Sequence, residues 1–392
     1  MVLFREFSPQ EANPRDFMGN IRIENLEKDE IRSLTGLRGF AALWVFSLHA
    51  TWGSEGGFFT QIARQGSLGV IIFFVLSGYI LSFVYAEKFR SKQIGYFRFL
   101  QARFARIYPL HFSMLLFLLA LTVFGLVKMP AKNNFYSFLL NLGLLQSWGF
   151  INPITWNEPA WSISTELFSY LLFPFLILRV YRKSKIVLLF SAAVAVSWIF
   201  FNPYFHMLRS FEGFGWVDLS GIQFNYGNSL LWCFFVFVSG MILFCTKDTA
   251  ARRINTPYFF DACTLIGLAV LFYVSCNAAA MPKRDQIAAV AAILIVFGLS
   301  RDAGIGRLVF GNSISLFLGR ISYSLYLSHE WVRYTAIQFI HPLPLWLNLV
   351  LALSVATLLH FFLERPARQF LRKKWTRKTI PLSNIQADTR EA

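Results

Sequence analysis

Long apolar runs recur along almost the whole chain, and they constrain the fold more than any other feature of the sequence. Ten of them approach the roughly 20 residues that a helix needs to cross a bilayer. They lie at about 38–53, 67–86, 107–127, 160–178, 186–202, 228–245, 258–276, 286–300, 321–340 and 345–363. Only 15% of residues are charged, against about a quarter in soluble domains. The sequence therefore predicts an all-α polytopic membrane protein with about ten transmembrane helices, and it argues against a soluble enzyme.

The distribution of basic residues predicts how these helices are oriented. With the N-terminus inside, the segments on the cytoplasmic side carry 30 of the 37 Lys and Arg residues, as the positive-inside rule requires. A further apolar stretch at 135–148 is only about 14 residues long, and counting it as a span would destroy this asymmetry. It is therefore predicted to be a re-entrant or interfacial helix, and both termini are predicted to be cytoplasmic.

The chain divides into three segments of different composition. Residues 1–35 are polar and densely charged, unlike a cleaved signal peptide; residues 36–366 form the transmembrane core; and residues 367–392 form a basic tail. The first and last segments are predicted to be cytoplasmic, so topology explains the net charge of +16 without nucleic-acid binding. The four cysteines lie within or beside apolar runs, where no disulfide and no metal site is expected.

Two ionisable residues of the first span share one helix face. Arg38 and His49 are eleven positions apart, which is about three full turns and ~16 Å along the axis. Ionisable groups inside a span are costly and are therefore functional candidates. Arg38 is predicted at the cytoplasmic surface and His49 near mid-membrane, a separation similar to the reach of a pantetheine arm. The alternative is a snorkelling arginine and an unrelated core histidine.

Two further motifs lie before the third predicted span and at the start of the fourth. Arg103 and Arg106 are neighbours on a helix face, where they either grip phosphate groups or supply positive-inside charge. Trp161 and Ser162 begin a span on its outer side, and Glu166 follows Ser162 by one turn. This carboxylate either orients an imidazolium, accepts a proton from a substrate hydroxyl, or forms an ion pair inside the bundle.

The ninth predicted span carries a second intramembrane histidine. His329 lies near the depth of His49, and Tyr326 is one turn before it on the same face. Glu330 and Arg333 are predicted to pair locally.

Small and aromatic residues have more ordinary explanations. The small residues from Gly69 to Gly78 are more typical of close helix packing than of chemistry. The aromatic residues of the outer loop at about 128–160, Trp156 among them, indicate either an interfacial belt or a platform for a sugar ring.

Taken in order, these motifs resemble those of acyltransferase family 3, the bacterial membrane O-acyltransferases of surface glycans. The matching positions run from about residue 33 to residue 366. They comprise Arg38 followed by His49, the stretch 73–79, Arg103 with Arg106, Trp161 and Ser162 with Glu166, the stretch 322–329, and the Glu-Arg-Pro at 364–366.

The resemblance implies transfer of an acyl group, usually acetyl from acetyl-CoA, to a hydroxyl of a carbohydrate such as an exopolysaccharide, an O-antigen or a lipooligosaccharide. It assigns donor binding to Arg38, Arg103 and Arg106, and catalysis to His49 supported by Glu166. The candidates for substrate contact are Trp161, Ser162, Tyr326 and His329. The expected partners are acyl-CoA, the glycan acceptor and the lipids of the bacterial inner membrane, with no metal and no nucleic acid.

Two questions stay open at this point. His49 either takes the acyl group transiently or deprotonates the acceptor in a ternary complex. A proton-coupled transporter or glycan flippase is the alternative function, although the inverted repeats typical of transporters are not found in the sequence. Some relatives in the family carry an appended esterase-like domain. Because this chain ends about 28 residues after Glu364, we expect none here.

Overall fold

The computed structural model describes residues 30–51, 56–127, 130–151, 154–181, 216–219, 222–253, 256–281, 283–340 and 344–377. Helices dominate this part of the chain. They are α1 Arg32–Ala50, α2 Phe58–Ala63, α3 Leu68–Arg90, α4 Tyr96–Val123, α5 Phe135–Leu142, α6 Ala160–Tyr181, α7 Tyr226–Arg253, α8 Pro257–Cys276, α9 Arg284–Leu299, α10 Gly304–Phe310, α11 Ser313–Ile340, α12 Leu345–Leu359 and α13 Arg365–Arg377. Apart from one short antiparallel hairpin of β1 Trp216–Leu219 and β2 Ile222–Asn225, the described secondary structure is helical, which confirms the predicted all-α class.

Nine of the ten predicted spans coincide with helices in the described part of the chain, and the tenth, at 186–202, lies outside it. Five helical stretches are long and apolar enough to cross a membrane by length and composition. They are Phe58–Arg90, Tyr96–Val123, Ala160–Arg179, Tyr258–Cys276 and Leu345–Trp375. A sixth is obtained if α9 and α10, which meet at a bend of 100°, are counted as one broken span. The chain is thus a multipass membrane protein, while ten spans and cytoplasmic termini stay predictions.

The segment predicted to be re-entrant or interfacial forms two short pieces. The eight-residue helix α5 is about 12 Å long, too short to cross a bilayer, and a π-helical turn at Gln146–Phe150 follows it. Buried side chains tie both pieces to the protein. Asn141 donates to the hydroxyl of Thr155, and Gln146 donates to the carbonyl of Ala160. A short helix that buried side chains anchor to the neighbouring segments agrees with the sequence prediction.

Glycines let the helices that carry the functional candidates cross closely. A Cβ atom built on Gly319 of α11 would lie 2.0 Å from the carbonyl oxygen of Thr35 in α1. A Cβ on Gly39 would lie 2.7 Å from the backbone nitrogen of Gly319. Between α3 and α7, a Cβ on Gly78 would lie 1.9 Å from the carbonyl oxygen of Phe237, which confirms the predicted close packing. The crossing of α1 and α11 is what brings their histidines together.

Candidate active site

The histidines of the first and ninth predicted spans are in direct contact. Nδ1 of His49 lies 3.0 Å from Nε2 of His329, and the ring centroids are 4.9 Å apart. His329 is buried against the edge of the Phe46 ring, whereas His49 is half-buried. Two of the predicted site residues, 280 positions apart in the chain, are therefore brought together by the crossing of α1 and α11.

Backbone carbonyls determine which nitrogen of each ring carries the hydrogen. Nδ1 of His329 lies 2.8 Å from the carbonyl oxygen of Tyr326, and Nδ1 of His49 lies 3.1 Å from that of Val45. Because a carbonyl only accepts hydrogen bonds, both Nδ1 atoms are donors. The single Nδ1–H of His49 is then shared between the carbonyl oxygen of Val45 and Nε2 of His329. In the neutral ring of His49 the basic lone pair consequently lies on Nε2.

Glu330 also belongs to this group. One ring nitrogen each of His49 and His329 and one carboxylate oxygen of Glu330 all lie within 4.8 Å of one another. We call these three residues the histidine cluster. Glu330 forms the predicted ion pair with Arg333 at 2.5 Å, which is therefore confirmed. Two imidazoles and a carboxylate at this spacing are suitable ligands for a metal ion. The expectation of a metal-free site thus stays a prediction.

A second carboxyl group faces the histidine cluster from the loop before α6. Glu158 interacts electrostatically with Glu330, His49 and Arg333, and its carboxylate lies 3.8 Å from Nζ of Lys132. Burial, reinforced by the negative charge of Glu330, raises the pKa of Glu158. The side of the cluster that faces this loop therefore carries charged and polar groups that a bound substrate could contact.

Two predicted substrate contacts form a hydrogen-bonded pair beside the cluster. The hydroxyl oxygens of Ser162 and Tyr326 lie 2.7 Å apart. Ser162 donates its single hydroxyl hydrogen to the carbonyl of Pro159, so Tyr326 donates to Ser162. Both residues are buried, and the Tyr326 ring centroid is 6.2 Å from that of His329. Ser162 and Tyr326 thus line the histidine side of the bundle and hold α6 against α11.

The aromatic residues of the preceding loop serve mainly to hold this region together. Trp161 is half-buried, and its carbonyl accepts a hydrogen bond from Ser147 at 2.7 Å. Trp156 is 5% exposed and donates its Nε1–H to the hydroxyl of Ser137. A buried ring cannot offer its face to a sugar, so the platform interpretation does not apply to Trp156. Substrate contact by Trp161 stays a prediction.

The three arginines predicted to bind the donor form a second group, the arginine cluster of Arg38, Arg103 and Arg106. The charge of Arg106 acts on Arg38, although the two belong to α4 and α1. Arg103 lies on the same side of α4 and donates from Nη2 to the Tyr85 hydroxyl at 2.8 Å. Its guanidinium carbon is 5.0 Å from the centre of the Tyr85 ring. Helix packing therefore assembles the three predicted guanidiniums.

The structure places Glu166 beside the arginine cluster. Its Oε1 accepts hydrogen bonds from the hydroxyls of Ser77, at 3.0 Å, and Tyr170. Its charge acts on both Arg38 and Arg103. Within the described residues, the hydrogen bonds of this carboxylate thus lie on the arginine side. A supporting role in catalysis at His49 stays a prediction.

Glu364 connects the end of the last predicted span to α11. Its Oε2 accepts a hydrogen bond from the hydroxyl of Ser324 at 2.8 Å and lies 2.9 Å from Nδ1 of His360. Glu364 is 2% exposed, and its charge acts on Arg38. The Glu-Arg-Pro motif therefore places a carboxylate at the arginine cluster.

Sequence reasoning missed several polar residues of the site. Ser77 and Tyr170 both donate to Glu166, and Tyr85 accepts from Arg103. Tyr170 was detectable in principle, because it lies one turn beyond Glu166 in α6. Ser77 lies in the family-like stretch 73–79, but neither it nor Tyr85 shows its partner in the sequence, since each meets that partner only through contact between separate helices.

Comparison with known proteins gives a family match that covers most of the chain. The family model described as "Acyltransferase domain" matches residues 31–365. No solved structure matches.

Curated relatives match over shorter or more divergent stretches. "Acyltransferase MdmB" of Streptomyces mycarofaciens is 35% identical over 179 residues, covering 42% of this chain and 43% of the relative. "Protein 2 in picA locus" of Rhizobium radiobacter is 41% identical over 78 residues, covering 20% and 38%. "O-acetyltransferase OatA" of Staphylococcus aureus (strain NCTC 8325 / PS 47) is 25% identical over 373 residues, covering 86% and 57%. The chain spans between 38% and 57% of the length of these relatives.

Proposed function

Because the chain belongs to the acyltransferase family whose domain model matches residues 31–365, we propose that it is a membrane O-acyltransferase acting on a carbohydrate hydroxyl. The proposed donor is cytoplasmic acyl-CoA, with acetyl as the acyl group, and the proposed location is the bacterial inner membrane. One observation carries the proposal. α1 joins the histidine cluster to the arginine cluster, and His49 and Arg38 lie on one face ~16 Å apart.

The arginine cluster supports an anionic donor. Coenzyme A carries a pyrophosphate and a 3′-phosphate on a nucleotide, and a flexible pantetheine arm connects them to the thioester. Guanidinium groups bind phosphate oxygens in bidentate geometry. With the phosphates held by Arg38, Arg103 and Arg106, the arm would extend along α1 and present the thioester to His49. The separation along α1 therefore fits the length of the proposed donor.

The other side of the histidine cluster supports a hydroxyl acceptor. Glu158, Glu330 and the Ser162–Tyr326 pair provide hydrogen-bonding groups of the kind that bind sugar hydroxyls. The name of the Staphylococcus aureus relative, O-acetyltransferase, describes acyl transfer to oxygen in that protein. An oxygen acceptor in a carbohydrate is therefore the acceptor class that we propose.

The tautomers give His49 a defined role in proton transfer. Nε2 of His49 takes the proton of the acceptor hydroxyl while the hydroxyl oxygen attacks the thioester carbonyl. The C–S bond of the tetrahedral intermediate then breaks, and the coenzyme A thiolate receives the proton from the imidazolium. His329 accepts the Nδ1–H of His49 throughout, which holds the ring in the reactive orientation. The ester and free coenzyme A are the products.

His329 is thus a positioning residue. Two replacements separate its two contributions, because phenylalanine keeps a packed ring and glutamine keeps a hydrogen-bond acceptor. We expect His329→Phe to lower kcat about 100-fold, with KM for the donor nearly unchanged, because the Nδ1–H of His49 keeps only the carbonyl of Val45 and loses the acceptor on α11 that orients the ring. His329→Gln offers an amide oxygen and should retain most of the rate. Steady-state kinetics of purified protein in nanodiscs would measure both values. Equal losses of kcat in the two variants would contradict the positioning role.

The function itself is tested with membranes from cells that carry or lack the gene. Radiolabelled acetyl-CoA should transfer its label to membrane glycans only when the protein is present, and mass spectrometry should find acetyl esters on those glycans. Release by mild alkali distinguishes an ester from an amide. Glycan movement across proteoliposomes without any acyl donor would instead support the flippase. Unlabelled and unacetylated glycans in both membranes would contradict the proposal.

A further inference from the structure

Two arginines of the predicted basic tail, Arg368 and Arg372, belong to helix α13. This helix brings them to the arginine cluster. α12, a π-helical turn at His360–Glu364 and α13 form one helical stretch, and α13 packs against α4. Arg368 and Arg372 are one turn apart and half-buried, whereas the adjacent Lys373 and Lys374 are exposed. One face of α13 thus turns its arginines toward α4, and its lysines lie at the surface.

These guanidiniums lie where positive charges repel one another. The charges of Arg103 and Arg106 act on both Arg368 and Arg372. Glu364 offsets part of this charge, with its Oε1 3.9 Å from Nη1 of Arg368. Nε of Arg103 is buried and makes no hydrogen bond within the described residues. Five arginines beside two carboxylates, Glu364 and Glu166, leave an excess of positive charge, so the arrangement favours a ligand with more than one phosphate.

The spacing along the helices indicates which phosphate would meet Arg372. Ser324, which donates to Glu364, precedes His329 by five residues, or ~7.5 Å along α11. Arg372 follows Glu364 by eight residues, or ~12 Å further along the same helical stretch in the direction away from α12. Arg372 is therefore roughly 20 Å from the histidine cluster, a greater distance than the ~16 Å between Arg38 and His49. The group farthest from the thioester in acyl-CoA is the 3′-phosphate and its nucleotide.

We propose that Arg368 and Arg372 extend the donor site and that Arg372 binds the 3′-phosphate of coenzyme A, an assignment that rests on the proposed function. In this arrangement Arg38 and Arg106, which lie nearer to the histidine cluster, bind the pyrophosphate. The basic tail is then part of the substrate site and not simply positive-inside charge. A donor that lacks the 3′-phosphate would lose this contact alone.

Calorimetric titration of the full chain in phosphatidylcholine nanodiscs tests the assignment. Wild type should bind coenzyme A about 10-fold more tightly than 3′-dephospho-coenzyme A, because a hydrogen-bonded charge pair is lost. Arg372→Gln should remove this preference while leaving the affinity for 3′-dephospho-coenzyme A unchanged, which also shows that the variant is folded. Arg372→Lys keeps the charge and should retain part of the preference. Lys373→Gln and Lys374→Gln remove the same charge from exposed positions and should behave as wild type.

The outcomes separate this inference from the function on which it rests. If Arg372→Gln keeps the full preference while Arg103→Gln weakens both ligands, the assignment of Arg372 is wrong and donor binding stands. If wild type binds neither nucleotide, the proposed function itself fails. A parallel series in phosphatidylglycerol nanodiscs tests the lipid headgroup as the source of phosphate. The assignment would also be overturned if the Arg372 variants kept the full preference for coenzyme A and differed from wild type only in how phosphatidylglycerol changes their affinity for the ligands.

Discussion

His49→Ala should abolish acyl transfer, lowering kcat by at least about 1,000-fold, while the protein remains in the membrane. The imidazole is the group whose Nε2 takes the acceptor proton, and general base catalysis together with its positioning contributes rates of about this size. His49 is half-buried, and its ring contacts His329. Removing it leaves the arginine cluster intact, so the affinity for the donor should change little. Label transfer from acetyl-CoA measures the rate, and nanodisc titration measures the affinity.

A matched control distinguishes loss of chemistry from loss of structure. His111 is another buried histidine, 2.8 Å from the carbonyl oxygen of Asn141. His111→Gln keeps a donor for that carbonyl and should retain transfer per folded molecule. If the His49→Ala variant transferred the acetyl group at the wild-type rate, His49 would be excluded as the catalytic residue. Labelled acetyl groups retained on wild-type protein without acceptor, and absent from His49→Ala, would indicate an acyl-histidine instead of a ternary complex.

Arg38→Ala should weaken donor binding strongly, lowering kcat/KM for acetyl-CoA by about 100-fold with KM raised. A charged hydrogen bond to phosphate contributes about 1.5–3 kcal/mol, and the loss of Arg38 also removes one of the positive charges that act on Glu166. The effect should fall on the donor, because Arg38 is ~16 Å from His49 along α1. Acetyl-CoA kinetics at saturating acceptor would isolate the change.

Arg32 provides the control for charge on the same helix. It is exposed, and its Nε donates to the carbonyl of Gly311, away from the arginine cluster. Arg32→Ala should leave KM for acetyl-CoA within about twofold, since exposed charges contribute little. An unchanged KM in Arg38→Ala, or equal effects in both variants, would rule out a specific contact between Arg38 and the donor.

The sequence predicted individual elements better than their partners. The period of α1 placed Arg38 and His49 on one face, and the period of α11 placed Tyr326 beside His329. Glu166 shows where this reasoning stops. It lies one turn from Ser162, as predicted, yet its hydrogen bonds go to Ser77 and Tyr170 instead of the histidines. Which neighbour faces a given turn depends on how separate helices cross, and helix periodicity contains no such information.

The C-terminal segment shows the same limit from the other direction. Arg368 and Arg372 appear in the sequence as members of a basic tail whose charge topology alone explains. In the structure, α13 continues the last membrane helix and packs against α4, so these two arginines join Arg103 and Arg106. A charge count along the chain cannot separate them from Lys373 and Lys374, which remain exposed.

The sequence by itself determined the class of protein, because the cost of placing each residue in a bilayer is local and accumulates along a run. It also identified His49 and His329 as anomalies, since ionisable groups within apolar runs are improbable without a role. Only the tertiary structure decided that these two rings meet, at 3.0 Å, and that Glu330 joins them. That contact depends on Gly39 and Gly319, whose missing side chains let two helices 280 residues apart in the chain approach closely.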